Sequence, residues 1–122
     1  NDLGYVAFRN ENYVLDLWGL GSEEARRLSS HNHWTPDLLD RITQRHDIAY
    51  AMIYPDWFGE IPSDWCWAAD LVTSQVTSAH NTVSFFLIQI DRQQEMRAAL
   101  LAFAADLPSG ARLEIFDCEH EQ

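Results

Sequence analysis

Ile48-Ala49-Tyr50-Ala51-Met52-Ile53-Tyr54 is a near-continuous apolar run, bounded by His46-Asp47 on one side and Pro55-Asp56 on the other. A strand with one wet face would alternate apolar and polar residues. This run does not, which predicts a strand buried on both faces, as in a parallel sheet covered by its crossover helices. Outward along the chain, Thr82 to Ile90 has the same character and predicts a second buried strand. Helical signals fill the spaces between. Ser22 is a candidate N-cap, and Glu23-Glu24 complement the positive end of a short helix over 22–29. Thr35 as cap and Pro36 in the first turn open a second helix, with Leu38, Leu39 and Ile42 on its buried face and an end near His46-Asp47. Ser63 or Asp64 caps a third helix through about Val72. Asp91 caps a fourth, Arg92 to Ala105, whose apolar stripe is Met96, Ala99, Leu100, Phe103 and Ala104. Two more strands are expected. Tyr13 to Trp18 lies between a polar turn and Gly19, and Ala111 to Phe116 alternates like an edge strand. Strand, helix, strand, helix, strand predicts an α/β fold: a layered, mostly parallel sheet of about four strands flanked by helices. No repeat, low-complexity tract or linker divides the chain, so a single domain over residues 1–122 is expected.

The 122 residues are 47% apolar and include five Trp, four Tyr and six Phe, enough to bury a core without metal or disulfide staples. Net charge is −11, and every cation is Arg. That surface repels phosphate backbones, so no nucleic acid is expected as a partner. It would also be repelled by an anionic lipid surface. The longest strongly apolar stretch, Val83 to Ile90, falls far below the roughly 20 residues of a membrane helix. A start at Asn1-Asp2 without Met is expected of a domain cut from a larger protein. Cys66 and Cys118 are far apart in sequence. They could pair if the domain is extracytoplasmic, but two cysteines make no framework, and without a Cys-x-x-Cys pair a thiolate zinc site is not expected.

Chemistry-bearing motifs are few. Gly19-Leu20-Gly21-Ser22 between strand and helix invites a phosphate-loop reading. Glu23 and Glu24 would oppose the phosphate, and no lysine exists to hold it, so the segment reads as a tight turn. His31 and His33, with an acid such as Asp37, are the metal suspects, but spacing fixes no third ligand. Neither a Gly-x-Ser-x-Gly elbow nor any other nucleophile motif is present. Asp2 and Asp16 sit beside Gly-containing turns at the edges of apolar elements, where turn bonding and site lining are both open to them. Tyr54, Asp56, Trp57 and Phe58 form an aromatic loop with Trp65 and Trp67 nearby. It could stack on a sugar, dock on a partner or close the core.

Asp2-Leu3-Gly4 and Val14-Leu15-Asp16-Leu17-Trp18-Gly19-Leu20, followed by Ala49 to Trp57 with its strand, aromatic and Pro, resemble the extracytoplasmic domain of bacterial polytopic membrane proteins related to glycosyltransferases that use lipid-linked sugars. The resemblance covers roughly the first half of the chain. Ala7-Phe8 departs from the more usual Gly-aromatic pair. By resemblance, the domain would sit on the extracytoplasmic (periplasmic) face of the inner membrane, with the membrane-embedded part of the same chain as its partner and a glycan or lipid-linked sugar as a contact. The catalytic carboxylate of such proteins lies between early membrane helices, outside this stretch. The domain would therefore be accessory and non-catalytic, with no cofactor. The alternatives are a stand-alone metal-binding or hydrolytic module built on His31 and His33, and a protein-interaction domain using Trp57 and Phe58.

Overall fold

A computed structural model describes residues 11–17, 22–29, 33–74 and 81–118. They fall into two compact units, the first within Asn1–Asp47 and Pro55–Pro62, the second within Ile48–Tyr54 and Ser63–Gln122.

The first unit is helical. Helix α1 spans Glu23–Leu28 and α2 spans Pro36–Arg45. Thr35 caps α2 as its sequence requires, its Oγ1 accepting from the Leu38 amide at 3.3 Å, with Pro36 in the first turn. Ser22 occupies the N-cap position of α1, its carbonyl accepting from the Arg26 amide, but its side chain makes no cap hydrogen bond. Its Oγ accepts instead from the backbone amide of Asp16 at 3.0 Å. The expected strand at Tyr13 to Trp18 is corrected here: residues 13–16 form no strand, and Trp18 lies outside the described residues. Side chains satisfy backbone groups that a neighbouring strand would otherwise have bonded. Ser22 takes the Asp16 amide, and the indole N–H of buried Trp34 donates to the Leu17 carbonyl at 3.0 Å. Leu17, Ala25, Trp34, Leu39, Ile42 and Phe58 are the buried apolar residues of this unit. Glu24 of α1 reaches the end of α2, pairing with Arg45 at 3.0 Å and His46 at 2.5 Å, and Tyr13 stacks on the His46 ring at 5.0 Å. Asp47 ends the segment in the left-handed region, φ 53°, where its amide closes on the Gln44 carbonyl.

The second unit is a four-stranded sheet. Its strands are β1 (Tyr50–Ile53), β2 (Cys66–Thr73), β3 (Thr82–Leu87) and β4 (Ala111–Ile115), in the order β1-β3-β2-β4. All of the pairings are antiparallel. The mostly parallel sheet is therefore overturned, and two misreadings explain why. Residues 63–72, expected as a helix, form most of β2, which pairs directly with β3, so no crossover separates them. The run at 48–54 gives an edge strand on which Met52 is exposed, not a strand buried on both faces. The helix expected at 92–105 does form, as α3 over Gln93–Ala105, led by a 3-10 turn at Ile90–Arg92 that contains Asp91; Asp91 is not its cap. This helix is a true crossover. Strands β3 and β4 both oppose β2 and so point the same way, and α3 carries the chain between them. The slot between is filled by β2, which makes a split β-α-β unit instead of a parallel pair.

Register places Tyr50, Met52, Phe85, Leu87, Cys66, Ala69, Leu113 and Ile115 on one face. Met96 and Leu100 of α3 close over that face, forming a core with Ala68, Ala69 and Leu87. Cys66 and Cys118 are joined by a disulfide, Cα to Cα 5.7 Å, across 52 residues. Gly110, at φ +87°, turns the chain into β4. A Cβ there would meet Ser74 Oγ at 2.7 Å, and its carbonyl accepts from the Ser74 amide. No described helix is long and apolar enough to cross a membrane.

Candidate functional site

The described residues singled out in the sequence differ in their surroundings. Asp2 and His31 lie outside the described residues. Asp16 is buried. His33 is exposed, and Asp37, its proposed companion, is exposed in the first turn of α2. Among the described residues no three of His, Cys, Asp and Glu are grouped to hold a metal. Tyr54 follows β1 directly and is buried. Asp56 and Trp57 sit on the 3-10 turn Pro55–Trp57, the first exposed and the second half-buried. Phe58, whose amide closes that turn on the Pro55 carbonyl, is only 2% exposed. Phe58 therefore presents no stacking face, and Trp57 stands without it.

The sheet brings other groups together. On the helix-covered side, Arg92 lies 5.4 Å over the Tyr50 ring and forks Glu95 with contacts of 2.6 to 3.0 Å. The guanidinium of Arg92 holds the Glu95 carboxyl below its ordinary range, with Tyr50 helping. Burial, then the neighbouring Glu95 carboxylate, pushes the Tyr50 phenol above its ordinary value. The acid is thus kept ionised and the phenol protonated at neutral pH, so neither is poised to exchange a proton there. We expect Arg92→Gln to move the Glu95 carboxyl back toward its ordinary value, read by NMR titration. Because that value is depressed in the folded chain, the pair stabilises the fold above the ordinary Glu pKa of about 4.3 and ceases to do so as pH falls through the depressed one. The acid limb of the stability curve should flatten in the variant, by a small amount, because both side chains face solvent.

On the opposite face the geometry is more suggestive. Trp67 and Phe86 are directly paired across β2 and β3, as are Asp70 and Ser84. A bulge at Ala68 separates them: Trp67 faces Phe86, but Ala69 already faces Phe85. The extra residue lets positions 67 and 70, three apart, share a face that a regular strand would divide. The Trp67 indole N–H donates to Asp70 Oδ1 at 2.8 Å, and the Ser84 hydroxyl donates to the same oxygen at 2.7 Å. Phe86 stacks on the indole at 6.0 Å and 26°, and Phe116 meets it edge-on at 5.8 Å. Glu114 and Arg112 of β4 stand on the same face, opposite Asp70 and Val72, and bond each other at 3.0 Å. The sequence marks Trp67 as an aromatic near the 54–58 loop, but a helix expected over 63–72 hides its pairing with Asp70, Ser84 and Phe86. The signal was there in the β-branched and aromatic residues of Trp65 to Thr73, obscured by Ala68-Ala69-Asp70-Leu71.

A cavity beneath α3, lined by Ala68, Leu87, Met96, Leu100 and Cys118, holds about 20 Å³, space for one water.

No curated protein and no solved structure matches the chain. A family model described as a domain of unknown function, DUF8728, matches residues 1–86, which include β1, β2 and nearly all of β3, leaving α3 and β4 beyond it. With more than half of its length under that match, the chain belongs to the DUF8728 family.

Proposed function

We propose that this is an extracytoplasmic, non-catalytic accessory domain of a glycosyltransferase-like integral membrane protein. The observation that carries the compartment is the Cys66–Cys118 disulfide. Thiols in a reducing cytosol stay reduced, whereas a bridge between β2 and the segment after β4 persists in an oxidising space such as the periplasm. The glycosyltransferase-like parent rests on the resemblance of Asp2-Leu3-Gly4, Val14 to Leu20 and Ala49 to Trp57. The accessory role rests on the same resemblance, in which the catalytic carboxylate lies between early membrane helices. The acidic surface, at −11, suits a soluble face beside a membrane more than attachment to anionic headgroups.

The test uses the full-length gene product in living cells. Thiols are trapped by alkylation with and without a membrane-impermeant reductant. Cys66 and Cys118 should react only after that reductant is added. Free thiols in untreated cells would overturn the compartment. Hydropathy of the same product decides the parent: several apolar spans of about 20 residues are expected, and a product without them ends the membrane reading.

A further inference from the structure

The sheet face around Trp67 has the properties of a prepared contact surface. Trp67 is 50% exposed, yet its ring is held by Phe86, by the edge contact with Phe116 and by its own N–H on Asp70. An exposed side chain normally loses rotamer freedom when a ligand arrives. Here that freedom is already spent in the free protein. The bulge at Ala68 produces the arrangement, since without it the indole and the Asp70 carboxylate would lie on opposite faces.

Groups on this face are laid out in rows. The Phe116 amide donates to the Ala68 carbonyl, so Phe116 extends β4 beside Trp67. The next row holds Asp70 and Glu114, and the one after it Val72 and Arg112. Rows two residues apart along a strand are separated by about 7 Å. The aromatic platform thus borders the Asp70 carboxylate directly, with Glu114 beside it on β4 and Arg112 in the following row.

We propose that this face binds a neutral glycan. A pyranose lays its C–H face on the Trp67 indole with Phe116 bordering it, its hydroxyls donate to Asp70 and Glu114, and a hydroxyl oxygen accepts from Arg112. The chemistry of the rim selects this class. A nucleic acid or anionic polymer could stack on the same indole, but Asp70, Glu114 and a net charge of −11 repel it. A proline-rich peptide could also pack on Trp67, but grip on its carbonyls needs an indole donor, and that N–H is committed to Asp70. Hydroxyl donors need acceptors, and acceptors are what the rim offers. This deepens the accessory-domain reading and rests on it only for the compartment in which glycans are met.

The test is an NMR titration of the whole chain with maltohexaose, cellohexaose and mannohexaose, following the Trp67 indole N–H, assigned by its loss in Trp67→Phe. A saturable shift of that resonance is expected with at least one of them. Trp67→Ala, read on the backbone amides of 66–73 and 111–116 that shift in the parent, should bind about tenfold or more weakly, and Asp70→Asn should weaken binding while the Trp67 signal persists. Trp57→Ala should bind as the parent does. An intact disulfide and an unchanged far-UV spectrum show that each variant is folded. No saturable shift with any of these sugars, equal affinity in Trp67→Ala, or saturation by a proline-rich peptide alone would overturn the glycan site. None of these results touches the compartment, which the thiol-trapping experiment decides.

Discussion

Removing the Cys66–Cys118 bridge, as Cys66→Ala with Cys118→Ala, will lower the unfolding free energy by about 4 kcal/mol and the melting temperature by about 10–15 °C. The bond closes 52 residues of sequence, and cross-linking a loop of that length withdraws a large number of conformations from the unfolded chain. It joins the first residue of β2 to the segment just past β4, so it spans two neighbouring strands and everything between them, including β3 and α3. Both cysteines pack against the core of Ala69, Leu87 and Met96, so the substitutions also remove contact there. For a chain whose whole stability is of order 5–15 kcal/mol, such a loss matters in any compartment that cannot restore the bond. Calorimetry of the oxidised chain, the reduced chain and the double variant checks the expectation. A drop below about 1 kcal/mol would mean that the unfolded state is already constrained without the bridge.

Phe58→Ala will cost about 3–5 kcal/mol, the range for emptying a fully buried phenylalanine site. Phe58 is 2% exposed and follows a 3-10 turn whose last residue, Trp57, is only half-buried. Adjacent aromatics in one loop thus have separate duties. The denaturation midpoint of Phe58→Ala should fall sharply with an unchanged slope, and that of Trp57→Ala by less. If Phe58 were instead a surface platform for a ligand, the order would reverse: stability would hold and only binding would suffer.

That contrast shows why the candidate site was hard to read in sequence. Tyr54-Pro55-Asp56-Trp57-Phe58 has a loop's composition and an aromatic cluster's chemistry, and both readings are fair from the string alone. Exposure separates them, and exposure depends on what packs against each ring. Trp67 is the converse case. By sequence it stands beside the same aromatic group, on a segment expected as helix, yet it is the half-exposed indole of a sheet face. The bulge at Ala68 is the reason. By inserting one residue it sets buried Ala68 and Ala69 side by side, breaking the period of two that identifies a strand and imitating the short apolar run of a helix.

What the sequence determined by itself is local. Thr35 and Pro36 start α2, Met96 and Leu100 mark the core face of α3, and Ala111 to Ile115 alternate as an edge. Each follows from interactions among residues a few positions apart. The tertiary structure alone decided direction and partnership: that β2 fills the slot between β3 and β4, that Cys66 meets Cys118, and that Trp67, Asp70 and Glu114 share one face. A strand's own residues set its pleat, but the hydrogen bonds that fix its neighbour and register are made with residues distant in sequence, and no local pattern encodes them.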